Sequence, residues 1–380
     1  MFKNICINPN EQEFPTDIGF VAENLLYYEK VIFVASYHSL PVLINNCDIE
    51  ILIDLVKNKN LKIVLPENTL GVPENTNSYG NTYYNVSLVR LAHLKKDEMV
   101  FKSIFNATGR RGHSKRISSK ILDLIYPFEY GLEICDFVRE DISERNYVIK
   151  SVLEILKYLN PDLSLTEKEI LFDVKSTQEG LSIETNLHEI NKKLKNPIEI
   201  PRVLMDLLMT RGDVYLASKF NSELATSKIQ TELMKTKFSS IYNSIKKNFG
   251  EIYEFNDFVL SDGHAISEAI NSGKKNFKDF MPILEKSEKF KNWLSQIDND
   301  KNLLKEYYKV VTKETWIDKL SSKTFRWAFF SALGLTLSPD FIGITAGLGL
   351  SAADTFILDR IVKGWNPSIF VNNHLKKFVK

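Results

Sequence analysis

Cysteine is scarce: the chain holds Cys6, Cys47 and Cys135, an odd number with no Cys-x-x-Cys spacing. That argues against a disulfide-built scaffold and a thiolate zinc site, and it suits a reducing cytoplasm. Charge of one sign is lacking too. With 49 basic and 48 acidic residues the net charge is +1, so attraction to a polyanion must come from local clustering. There is no GxxxxGK[ST], HExxH or GxSxG motif, and the six histidines are scattered along the chain. An ATP-driven motor and a nucleophile-elbow hydrolase are therefore disfavoured. The opening MFKNICINPNEQEF has neither the basic region nor the continuous apolar region of a signal peptide, so a cytoplasmic location is expected.

What is present is the material of a globular protein. Hydrophobic residues make up 44% of the 380, including 24 Phe and 15 Tyr, enough aromatic surface to offset the entropy of ordering. The length exceeds one ordinary domain. KVIFVAS (30–36) and LKIVLPE (61–67) read as strands, and the helical run between them has Asp48 placed to cap it. Strand, helix and strand at this spacing predict a parallel pair. DIGFVAENLLYY (17–28) reads as a helix, and the Asn- and Gly-rich residues 67–85 as a long loop. Beyond about residue 120 the three-to-four spacing predicts mostly helices, RNYVIKSVLEILKYL (145–159) and ELATSKIQTELMKTKFSSIYNSIKKNF (223–249) among them. The expected fold class is an α/β N-terminal domain followed by a larger, mainly α-helical region, α+β overall. The expected divisions are 1–100, a basic loop or linker at 101–122, a helical domain at 123–325 and an apolar hairpin with a basic tail at 326–380.

Three stretches carry chemistry. In YLNPDLSLTEKEILFDVKST (158–177), Pro161-Asp162 precedes Asp173-Val174-Lys175, the only acid-x-Lys triplet in the chain. If 169–175 is a strand, Asp173 and Lys175 share one face, and a hairpin within 162–186, with residues 163–168 as its preceding strand and turn, would bring Asp162 across from Asp173. Two converging carboxylates suit Mg²⁺, which would activate a water while Lys175 holds it or a phosphate. The pattern of Pro161, Asp162, Asp173 and Lys175 resembles the PD-(D/E)xK nuclease core. The resemblance implies Asp162 and Asp173 as metal ligands, Lys175 as a catalytic residue, Mg²⁺ as cofactor and nucleic acid as substrate. Glu154 lies in the region where such enzymes place a further acid. The competing reading is an amphipathic helix from about Leu165 to Lys175, opened by a Ser164-x-x-Glu167 capping box.

The second stretch, FKSIFNATGRRGHSKRISSK (101–120), contains Lys102, Arg110, Arg111, Lys115, Arg116 and Lys120 and no acid. Its Gly-rich centre reads as a flexible loop, with Arg110, Arg111, Lys115 and Arg116 as phosphate-binding residues. A solvated basic surface is the alternative. The third stretch, Trp327 to Ala353, has Asp340 as its one charge, and Ser338-Pro339 is a helix-start signal that divides it. A buried helical hairpin is expected there. Residues 327–363 offer a surface for a protein partner or self-association, and contact with a membrane is the other reading, since the tail after Asp359 is basic. Two functions follow. One is a nucleic-acid-interacting protein, with metal-dependent cleavage if the hairpin forms, as in a bacterial defence or toxin-like component. The other is a non-enzymatic module that docks through its C-terminus.

Overall fold

The computed structural model describes residues 2–9, 15–90, 96–238, 250–260, 266–297, 303–312 and 367–380. They form an α/β region toward the N-terminus and a larger helical part, α+β as the patterning implies. The chain divides into two compact units. One comprises Asn4–Ile18 and Lys30–Lys247; the other comprises Met1–Lys3, Gly19–Glu29 and Asn248–Lys380. The apolar segment 327–353 and the proposed contact region 327–363 lie outside the described residues. Among the described residues no helix is long and apolar enough to cross a membrane.

In chain order the strands are β1 (Asn4–Ile7), β2 (Lys30–Val34), β3 (Leu61–Pro66), β4 (Asn68–Gly71), β5 (Glu74–Thr76), β6 (Thr82–Tyr84), β7 (Ser87–Arg90), β8 (Ile125–Phe128), β9 (Phe172–Ser176), β10 (Leu181–Thr185) and β11 (Glu223–Ala225). All belong to the larger unit. The helices begin with α1 (Ile18–Tyr27), which apart from Ile18 belongs to the other unit. The larger unit then carries α2 (Ser39–Cys47), α3 (Ile49–Lys57), α4 (Lys96–Thr108), α5 (Arg111–Leu122), α6 (Glu133–Ser143), α7 (Arg145–Leu159), α8 (Leu187–Asn191), α9 (Ile200–Lys219) and α10 (Lys228–Lys237).

A five-stranded parallel sheet in the order β11-β1-β2-β3-β8 forms the base of this unit. Val31, Ile32, Phe33, Ile63, Val64 and Leu65 are all buried, as continuous apolar runs must be when both faces of a sheet are covered. Asp48 caps α3 by accepting the Glu50 N–H at 3.0 Å, as its position in the sequence implies. The sheet recruits residues 125–128 and 223–225, so the α/β unit runs well past residue 100. Residues 223–225, expected to open a helix, instead form the edge strand β11 beside β1. A second, antiparallel sheet has the order β5-β6-β10-β9, and β4 pairs with β7. Residues 67–85, expected as a loop, therefore carry three strands. Leu70 and Tyr84 are buried while polar neighbours face outward, the period-two pattern that a composition rich in Asn and Gly obscures.

Two further expectations change. No helix spans 165–175. A capping pair forms two residues later than expected, with Glu169 accepting the Thr166 N–H at 2.8 Å, and it encloses a single 3-10 turn at Glu167–Glu169. The chain then extends into β9, because pairing with β10 buries Phe172 completely and outweighs the helical propensity of TEKE. The basic stretch is not a loop or linker either. It folds as the α4–α5 hairpin, turned at Gly109, whose φ of 64° suits a residue without Cβ. Ser114, Ile117, Ser118 and Ile121 form its buried stripe, which the surrounding charges conceal in the sequence.

The other unit is helical: α1, residues 250–259, α11 (Ile266–Asn271), α12 (Phe277–Lys286), α13 (Glu288–Leu294), α14 (Leu303–Thr312), and a C-terminal run of α15 (Pro367–Phe370), a π-helical turn at Val371–Leu375 and α16 (Lys376–Val379). Tyr27, Phe255, Phe290, Trp293, Tyr307 and Phe370 make its aromatic core. At Gly19 a Cβ would lie 2.3 Å from the Ser267 carbonyl oxygen, so only glycine lets α1 approach the start of α11 this closely. Lys291 Nζ is buried without a hydrogen-bond partner, and burial pushes its pKa down to about 8.

Candidate functional site

The α4–α5 hairpin is the crossover between β3 and β8 and is tied to the carboxyl edge of the parallel sheet. In the turn after β2, the Tyr37 carbonyl accepts the Ser103 hydroxyl, and the Tyr37 hydroxyl accepts the Asn106 amide at 2.6 Å. Lys120 pairs with Glu50 of α3. The outward side of the hairpin carries Lys102, Arg110, Arg111, Lys115 and Arg116, all exposed, and none of them pairs with an acid among the described residues. Phe105 is 37% exposed beside them and stacks on Phe101 at 5.8 Å. The four predicted phosphate-binding residues thus gather at the start of α5, Arg110 at its N-cap and the other three within its first turns, rather than on a loop. Free guanidinium and ammonium groups next to an exposed ring form the combination that holds phosphates and stacks bases.

The predicted catalytic set is arranged differently. A β-ribbon forms, and its register places Glu184, not Asp162, across from Asp173. Asp162 stands exposed in the turn after α7. Asp173 receives Arg145 Nε at 2.7 Å, and Lys175 Nζ reaches Glu184 at 3.2 Å. Among the described residues no group of three or more His, Cys, Asp or Glu side chains converges as a metal site. The ribbon therefore offers Mg²⁺ a carboxylate already neutralised by arginine, beside a second already paired with lysine. These are surface ion pairs, with side-chain exposures of 65% and 29% for Arg145 and Asp173. Asp173→Ala is accordingly expected to change unfolding free energy by only ~0–1 kcal/mol, measured by urea titration.

Sequence reading missed the buried polar stripe of α9. Asp206, Thr210 and Asp213 are each 3% exposed or less, on the same side of a helix that is buried on several faces. Their spacing of four and three residues is the signal that could have found them. Asp206 accepts from Arg202 Nε at 2.8 Å and Gln230 Nε2 at 3.3 Å. On the neighbouring position Arg211 reaches back to α6, where Nε meets Asp141 at 2.7 Å, Nη2 binds the same carboxylate and Lys237 Nζ stands 3.5 Å away.

Asp213 sits where the parallel sheet changes direction. β1 leads rightward through β2, β3 and β8, and the chain then returns to place β11 on the other side of β1; such points are where open α/β sheets build binding crevices. Asn8, just after β1, donates to Asp213 at 2.5 Å, and Thr226, just after β11, donates its hydroxyl to the other oxygen. Burial pushes the Asp213 carboxyl up to about 6, with the bonds from Thr226 and Asn8 only partly opposing that rise. Burial and the proximity of Asp213 also raise the Tyr130 phenol.

Because the folded pKa lies above the ordinary 3.8, the native state holds a proton between about pH 4 and pH 6 that the unfolded chain has released. The stability due to this group is therefore complete below pH 4 and falls as pH rises through 6, by about 3 kcal/mol in all. Asp213→Asn removes that slope. The difference in unfolding free energy between variant and wild type is expected to shift in the variant's favour by about 3 kcal/mol between pH 4 and pH 7. A difference that stays constant across that range would mean the carboxyl titrates normally.

Comparison with protein-family models, curated proteins and solved structures finds no match to this chain.

Proposed function

We propose that the protein binds nucleic acid through its phosphate backbone, using the outward face of the α4–α5 hairpin. The observation that carries this reading is the set of Arg110, Arg111, Lys115 and Arg116, exposed together and lacking acidic partners among the described residues in a chain whose net charge is only +1. A surface that merely needed solvation would be served by the alternating charges found elsewhere on the chain, whereas unpaired cations are available to release counterions from a polyanion. Planar guanidinium groups fit phosphate oxygens bidentately, and Phe105 adds an apolar ring for an unstacked base. Binding without cleavage is the activity this surface supports, since Asp173 and Lys175 are each committed to an ion pair.

Fluorescence anisotropy of labelled oligonucleotides tests the reading. Single strands are expected to bind in the range of ~1–100 µM at physiological salt, and duplexes, whose bases cannot reach Phe105, more weakly. An anisotropy that stays flat to about 100 µM protein for both would end the proposal.

A further inference from the structure

A second basic feature lies in the helical unit and faces a cleft of about 420 Å³. Lys274 and Lys275 enter it from the turn after α11, where Gly273 has φ 73°. Asp279 and Ile283 line it from α12, and Asn373, His374, Lys377 and Phe378 from the C-terminal run. No acid pairs with Lys274, Lys275 or Lys377 among the described residues. Asp279, the one acid in the lining, accepts the Asn276 N–H at 3.0 Å as half of a capping box, so it is engaged in starting α12. Three ammonium groups against one carboxylate leave the cleft electropositive.

Two further features mark the cleft as built rather than incidental. Asn373 and His374 belong to the π-helical turn, a rare departure from α geometry that is often kept at functional sites. Phe378 packs edge-on against Phe280 at 6.0 Å, and Lys275 Nζ lies 5.9 Å from the Phe378 ring. Burial and the positive charges of Lys286 and Lys377 hold His374 below its ordinary value. The volume falls within the range of small-molecule sites and is ample for a phosphorylated group.

We propose that this cleft binds a phosphate group, carried by a small phosphorylated molecule or by a lipid headgroup, with Lys274, Lys275 and Lys377 neutralising its charge and Asn373 and His374 orienting its oxygens. It is independent of the α4–α5 surface. The test uses the full chain and two probes: inorganic pyrophosphate by titration calorimetry, and sedimentation with phosphatidylcholine vesicles that do or do not contain a phosphoinositide. Saturable pyrophosphate binding identifies a soluble ligand; retention only on phosphoinositide vesicles identifies a headgroup.

In either arm Lys274→Gln with Lys377→Gln weakens binding by about tenfold or more. Both lysines are exposed, so the fold is expected to survive, and Lys377→Arg, which keeps the charge, retains binding. Failure of both probes to bind, or binding indifferent to the Lys274 and Lys377 substitutions, overturns the proposal. Neither outcome bears on nucleic-acid binding by α5.

Discussion

Asp141→Ala is expected to lower the unfolding free energy by about 3–5 kcal/mol. Asp141 is 5% exposed on its side chain and faces Arg211 and Lys237, each only 17% exposed, so removing the carboxylate strands two half-buried cations on α9 and α10. Their remaining contacts soften the loss. Lys237 keeps Glu144, and Arg211 keeps the faces of Phe137 and Phe238 at 5.8 and 5.1 Å. The expected magnitude is therefore at the lower end of that range. The pair Asp141→Leu with Arg211→Met should cost less than Asp141→Ala alone, because it leaves no buried guanidinium without its carboxylate, and Lys237 keeps Glu144. Urea unfolding of the three proteins checks this. A loss below about 1 kcal/mol for Asp141→Ala would show that solvent reaches the cluster and screens it.

The combined substitution Arg110→Gln, Arg111→Gln, Lys115→Gln and Arg116→Gln is expected to weaken oligonucleotide binding by about a hundredfold at low salt. The magnitude follows from counterion release. Each neutralised phosphate contributes about −0.7 to the slope of log K against log salt on single strands and about −0.9 on duplex DNA, so four contacts make affinity rise by roughly fifty- to a hundredfold from 200 to 50 mM salt, a gain the variant lacks. Glutamine is about as good a helix former as arginine or lysine, and all four side chains are exposed, so α5 should keep its structure. An unchanged melting temperature alongside the lost affinity separates a contact effect from an unfolding effect.

How much of this was legible in the sequence depends on the distance over which the information lies. β2 and β3 were legible because a buried parallel strand must be continuously apolar. The helix at 145–159 was legible because Ile149, Val152, Leu153 and Leu156 repeat at helical spacing and Asn160-Pro161 stops it. The cation cluster was legible as composition, but its helical hairpin was not, since charge drew attention away from Ser114, Ile117, Ser118 and Ile121. Strand register was not legible at all. A strand through Asp173 was legible, but its partner was not: residues 163–168, expected to precede it in a hairpin, hold a 3-10 turn instead, and the ribbon forms with 181–185, which sets Glu184 opposite Asp173. The buried networks lay furthest out of reach. Asn8, Asp213 and Thr226 meet only because β1 and β11 become neighbours, and Asp141, Arg211 and Lys237 only because α6, α9 and α10 pack together.

The most direct measurement is the salt dependence of oligonucleotide affinity for the wild type and the four-residue α5 variant, compared side by side. The wild type should show a slope of log K against log salt of about −2.8 on single strands, and the variant a slope close to zero. Equal slopes for the two proteins would contradict the central claim, because they would place the phosphate contacts somewhere other than α5.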